Sequence, residues 1–64
     1  MEESILKLLR RHGSLRYEQI AALLNERPGK VRQALERLRD RGLVAVVAIG
    51  ELEGHTTRAA SYWH

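Results

Sequence analysis

The hydrophobic period of this chain changes at Gly42. Before it, in "PGKVRQALERLRDR", Val31, Ala34, Leu35 and Leu38 recur at i, i+3, i+4 and i+7, the spacing of one face of a helix. After it, "LVAVVAI" is apolar at every position and rich in β-branched residues, without helical spacing, and reads as a strand. Helical segments followed by a strand put the chain in the α+β class, with helices packed against a C-terminal sheet.

Upstream, the helical period appears twice more. In "EESILKLLRRHG" the residues Ile5, Leu8, Leu9 and His12 share a stripe that Leu6 widens. Glu2 and Glu3 suit a helix start, and Arg10, Arg11 and Gly13 suit its end, so a first helix is predicted over about residues 2–12, closing on a half-buried His12. "SLRY" is too short for an element of its own, and Leu15 there is either an isolated β-bridge residue or a staple before the next helix. "YEQIAALLN" places Tyr17, Ile20, Ala21 and Leu24 on one face, which predicts a second helix over about 17–24. In "NERPG", Asn25 tolerates the left-handed backbone of a helix stop, and Pro28 suits the first turn of a third helix, predicted over about 28–41. Past the strand, "GELEG" reads as a turn and "HTTRAASYWH" as a returning strand, making a β-hairpin.

With no internal repeat, linker or low-complexity stretch, residues 1–64 are expected to form one domain. A domain this small buries only about 60% of the surface its unfolded chain exposes, and it has no room for a deep cleft between lobes. The absence of cysteine excludes disulfides and thiolate–metal sites, so aliphatic packing must supply the stability. The lack of cysteine and of a signal-like leader predicts a cytoplasmic protein, and no apolar run approaches a membrane span. His12, His55 and His64 show no metal-ligand spacing, Ser4, Ser14 and Ser61 have no catalytic motif around them, and "RPGK" lacks the phosphate-loop pattern. Neither an enzyme nor a bound metal or cofactor is expected.

Charge is unevenly distributed. The net charge is +3, yet Arg27, Lys30, Arg32, Arg37, Arg39 and Arg41 against Glu36 and Asp40 give the third helical segment +4, leaving −1 for the rest of the chain. The excess positive charge therefore sits on one helix, a pattern that suits a nucleic-acid partner.

The stretches "LRYEQIAALLN" and "RPGKVRQALERLRDRGLV", with a hairpin ending in "SYWH", resemble the winged helix-turn-helix family over nearly the whole chain. The resemblance implies a winged helix, a three-helix bundle with a C-terminal β-hairpin wing. It also implies that the third helix is a recognition helix, with Gly-Leu-Val leading into the first wing strand. The expected function is duplex DNA binding by a small transcriptional regulator, with helix 28–41 in the major groove. The competing class is a winged-helix protein-interaction module within a larger assembly.

With Val31, Ala34, Leu35 and Leu38 facing the core, the helix presents Lys30, Gln33, Arg37 and Asp40 on its opposite side, flanked by Arg32, Glu36, Arg39 and Arg41. Arg or Lys can pair with guanine and Gln with adenine. The base-contact candidates are Gly29, by close backbone approach, and Lys30, Arg32 and Gln33. The phosphate candidates are Arg16, Arg27 and Arg37, whereas Arg39 and Arg41 complement the helix dipole.

The chain departs from the family pattern where a small hydroxyl or acid usually caps the second and third helices. Here Arg16 and Arg27 stand there. Either Ser14 and Asn25 cap instead, with each helix starting earlier, or the two arginines flank helix N-termini that meet phosphates.

In the hairpin Arg58 is the only Lys or Arg and the one basic wing candidate, while Glu51 and Glu53 at the expected tip oppose phosphate. Tyr62 and Trp63, as strand neighbours, should point to opposite faces, one into the core and one to the surface by the third helix. The tryptophan resembles that of Z-DNA-binding winged helices, but Ala60, Ser61 and Glu36 stand where that subclass has prolines and a tyrosine. One face of "LVAVVAI" can pack on the helices. The other is either exposed or covered by a second chain, in a homodimer through the apolar hairpin or the first helix.

Overall fold

The structure, a computed structural model, describes the backbone of residues 1–53 and 56–64 and the side chains of residues 1–48 and 61–64. In chain order come α1 (Glu2–His12), α2 (Tyr17–Leu24), α3 (Pro28–Asp40), β1 (Val46–Glu53) and β2 (Thr56–Trp63). This is the α+β layout of a winged helix.

Local chemistry sets the helix ends. α1 carries Glu2 and Glu3 in its first turn and Arg10, Arg11 and His12 in its last, each matched to the dipole. Gly13, at φ 86, closes it by donating its N–H to the Leu9 carbonyl at 2.8 Å. α2 stops at Asn25, the one described non-glycine residue with positive φ (54). α3 begins with Pro28 and ends in a Schellman turn. Gly42 (φ 74) donates to the Arg39 carbonyl and Leu43 to the Leu38 carbonyl, both at 2.9 Å.

That turn corrects two expected boundaries. The helix ends at Asp40 with Arg41 as its cap, one residue earlier than predicted. Leu43 belongs to the turn, so backbone pairing starts at Ala45, whose N–H and C=O exchange bonds with His64 at 2.8 and 2.9 Å. The pairing then continues through Gly50, Glu51, Leu52 and Glu53, which lie in β1 opposite Ala59, Arg58, Thr57 and Thr56. "GELEG" is therefore mostly strand, and the connection falls on Gly54 and His55, outside the described residues.

The core draws on every element. Ile5 and Leu9 of α1, Ile20 and Ala21 of α2, and Val31, Ala34, Leu35 and Leu38 of α3 are buried, with Leu15, Val44 and Trp63 closing one end. Burying a side chain the size of Leu or Ile stabilises by about 1.5–3 kcal/mol. α2 packs most extensively on α3. Leu15 is indeed an isolated bridge residue, paired with Trp63.

Exposure alternates from Leu43 to Val47 and stops doing so at Ala48, which is exposed on the Val46 side. Val44 is buried and Val46 half-buried, while Leu43, Ala45 and Val47 face out. Trp63 is buried and the neighbouring Tyr62 only half-buried. His12 does not lie half-buried as expected. It is exposed although it lies on the Ile5–Leu9 side of α1, at the last residue of the helix.

Candidate nucleic-acid interface

α2, the left-handed step at Asn25 and α3 form the helix-turn-helix. Arg16 and Arg27 are the N-cap residues themselves, in extended backbone (ψ 150 and 133), so neither helix starts earlier at Ser14 or Asn25. A guanidinium has no acceptor, and no side-chain cap bond forms at either position. At α2 only the reverse half of a capping box exists, the Arg16 N–H donating to Gln19 Oε1 at 3.0 Å. At α3 the Lys30 and Val31 amides both return to the Arg27 carbonyl, at 3.0 and 3.2 Å. Pro28 has no amide proton, and a Cβ built on Gly29 meets nothing within 4 Å. The start of α3 is thus an open surface on which the Gly29 amide has no intrahelical partner, with an arginine beside it.

Arg16, Arg27, Gly29, Lys30, Arg32, Gln33 and Arg37 are all exposed, but they do not form a single row. Lys30, Gln33 and Arg37 line one side of an open groove of about 520 Å³, floored by Ala34 and bounded across by Met1, Glu2 and Glu3 of α1. Arg32 lies on the other flank of the helix, its Nε 3.6 Å from Glu36 Oε1. Arg16 stands apart at the start of α2 and pairs with Glu18 at 2.7 Å. The Arg58 side chain lies outside the described residues, as do those of Glu51 and Glu53. Among the described residues no carboxylate lies within ion-pair distance of Arg27, Lys30 or Arg37.

One pairing was not legible from spacing along the chain. Arg41 reaches Glu2 at 3.5 Å, joining the end of α3 to the start of α1. Glu36 lies one helical turn after Arg32, beside it, and is exposed. Exposed pairs such as these are each worth about 0–1 kcal/mol, so they orient side chains more than they stabilise the fold.

The order of elements, the basic face and the turn between α2 and α3 agree with a comparison against known families. The model described as "Bacterial regulatory protein, arsR family" matches residues 4–46, well over half of the chain. The chain belongs to the ArsR family. The match spans nearly all of α1, all of α2 and α3, and the first residue of β1. No curated protein and no solved structure matches the chain.

ArsR-family membership makes this chain a winged helix-turn-helix DNA-binding transcriptional regulator, with double-stranded DNA as its partner. Proteins of this kind act by binding DNA rather than by catalysis. No helix among the described residues is long and apolar enough to cross a membrane. Nor do three His, Cys, Asp or Glu side chains among the described residues converge on a metal-sized site.

Proposed function

We propose that residues 1–64 act as one domain that places α3 in the major groove. In this reading Gly29, Lys30, Arg32 and Gln33 approach base edges, and Arg16, Arg27 and Arg37 hold phosphates, with Arg58 adding a contact from the wing. The observation that carries it is the first half of α3. It combines an exposed glycine with two cations, Arg27 and Lys30, that have no ion-pair partner among the described residues, inside an ArsR-family match. Helix N-termini favour anions, and an α-helix fits the major groove, where guanine N7 and O6 are accessible. The site of action is the cytoplasm.

The groove assignment is tested by methylating guanine N7 in a bound duplex. Interference is expected with major-groove entry. Binding indifferent to N7 methylation but blocked by a minor-groove ligand would contradict it.

A second reading, a protein-interaction module in a larger assembly, draws on the exposed apolar residues Leu23, Leu43 and Val47. We assign Leu43 and Val47 instead to a homodimer. Val47 lies opposite Tyr62 on the outward face of the hairpin, so a second copy would cover both.

A further inference from the structure

We propose that Glu36 is a specificity-determining residue of α3, acting by positioning Arg32 for one guanine. This rests on α3 being the major-groove helix. Arg32 and Glu36 are one turn apart, and Arg32 meets the carboxylate through Nε, at 3.6 Å. A guanidinium is planar, with donors on two edges. Engaging the Nε edge leaves the paired Nη donors directed away from Glu36, and that fork matches O6 and N7 of guanine. By helical geometry Glu36 stands roughly 150° from the middle of the buried stripe and Arg32 roughly 110°. Glu36 is therefore the more outward of the two.

Helix stability does not account for this acid. Arg followed by Glu at i, i+4 is the weaker order for a helix pair, and the side chains are 63% and 56% exposed. Nor does affinity account for it. A carboxylate on the exposed side of α3, next to Arg32, lowers attraction to any phosphate backbone, whatever the sequence. Its benefit to recognition is orientation. At 3.6 Å the pair is an ion pair rather than a hydrogen bond, so Glu36 biases the direction of the Arg32 guanidinium, and a biased arginine loses less freedom on pairing with a base than one free to reach nearby phosphates.

The two effects of removing Glu36 therefore have opposite signs. The full chain is mixed with duplexes carrying a randomised core, and the bound fraction is sequenced. The wild type is expected to enrich guanine at one position, and Arg32→Ala to lose that preference by about tenfold. Glu36→Ala is expected to weaken the same preference several-fold while binding the unselected library more tightly. The double variant should lose no more preference than Arg32→Ala alone. Enrichment that depends on Arg32 but is unchanged in Glu36→Ala would overturn the proposal, as would a wild type with no Arg32-dependent base. If the wild type fails to bind the library at low salt, the major-groove reading falls and this one with it. Binding with enrichment insensitive to Glu36 removes only the role of Glu36.

Discussion

Leu15 and Trp63 exchange two backbone hydrogen bonds, at 2.9 and 2.8 Å. The bridge ties the α1–α2 connection to the end of β2, so Trp63 is paired on both edges, with Leu15 and with Val46, while its side chain closes the core. Trp63 is 6% exposed. Truncating a buried tryptophan to alanine costs about 3–5 kcal/mol, which is most of the stability expected of so small a domain. Trp63→Ala should be largely unfolded at 25 °C by circular dichroism, while Trp63→Phe should fold with a lower urea midpoint. A Trp63→Ala protein with an unchanged midpoint would mean that the hairpin end is not part of the cooperative core.

The caps of α2 and α3 set stability against binding. Arg27 offers no acceptor to the first turn of α3, and serine there is worth about 1 kcal/mol. In a domain of this size that raises the melting temperature by roughly 4–8 °C. Arg27→Ser should therefore be more stable and bind duplex DNA more weakly. A variant that gains stability and keeps its affinity would remove Arg27 from the phosphate contacts.

Asn25 carries the turn between α2 and α3 at φ 54. A left-handed backbone costs most residues about 1–2 kcal/mol. Asn25→Ala should lower the urea midpoint accordingly, whereas Asn25→Gly should stay close to the parent. Equal midpoints for the two would show that the turn does not hold this backbone in solution.

Leu43, in the turn after α3, and Val47, on the outward side of β1, are 50% and 46% exposed. If a second copy covers them, sedimentation equilibrium gives a dimer at micromolar concentration, and Val47→Lys gives a folded monomer. A wild type that stays monomeric across the concentration range would leave this face exposed and sink the homodimer.

Much of this fold was legible because its signals are local. The stripes of Ile5 and Leu9 and of Val31, Leu35 and Leu38, with Asn25, Pro28 and Gly42 as punctuation, place the helices to within a residue. The start of β1 was not legible, because whether Leu43 continues the apolar run or completes a Schellman turn depends on the Leu38 carbonyl. Nor was the turn, since two glycines suggested one that the register carries past. The candidate site was legible as a helix and a charge. How that charge is divided was not, because Arg41 pairs with Glu2 across 39 positions of sequence. Glu36 was expected on a flank of α3, and its pairing with Arg32 follows the i, i+4 spacing of a helix face.

The central claim is that the basic face of α3 meets the phosphate backbone, and salt dependence tests it most directly. Binding of the full chain to a random-sequence duplex should be titrated at several salt concentrations. Each phosphate neutralised contributes about −0.9 to the slope of log affinity against log salt. Contacts from Arg16, Arg27, Arg37 and Arg58 predict a slope of about −3 to −4. Replacing Arg27 or Arg37 by alanine should make it shallower by about one. A slope near zero, or no binding at low salt, would contradict the account.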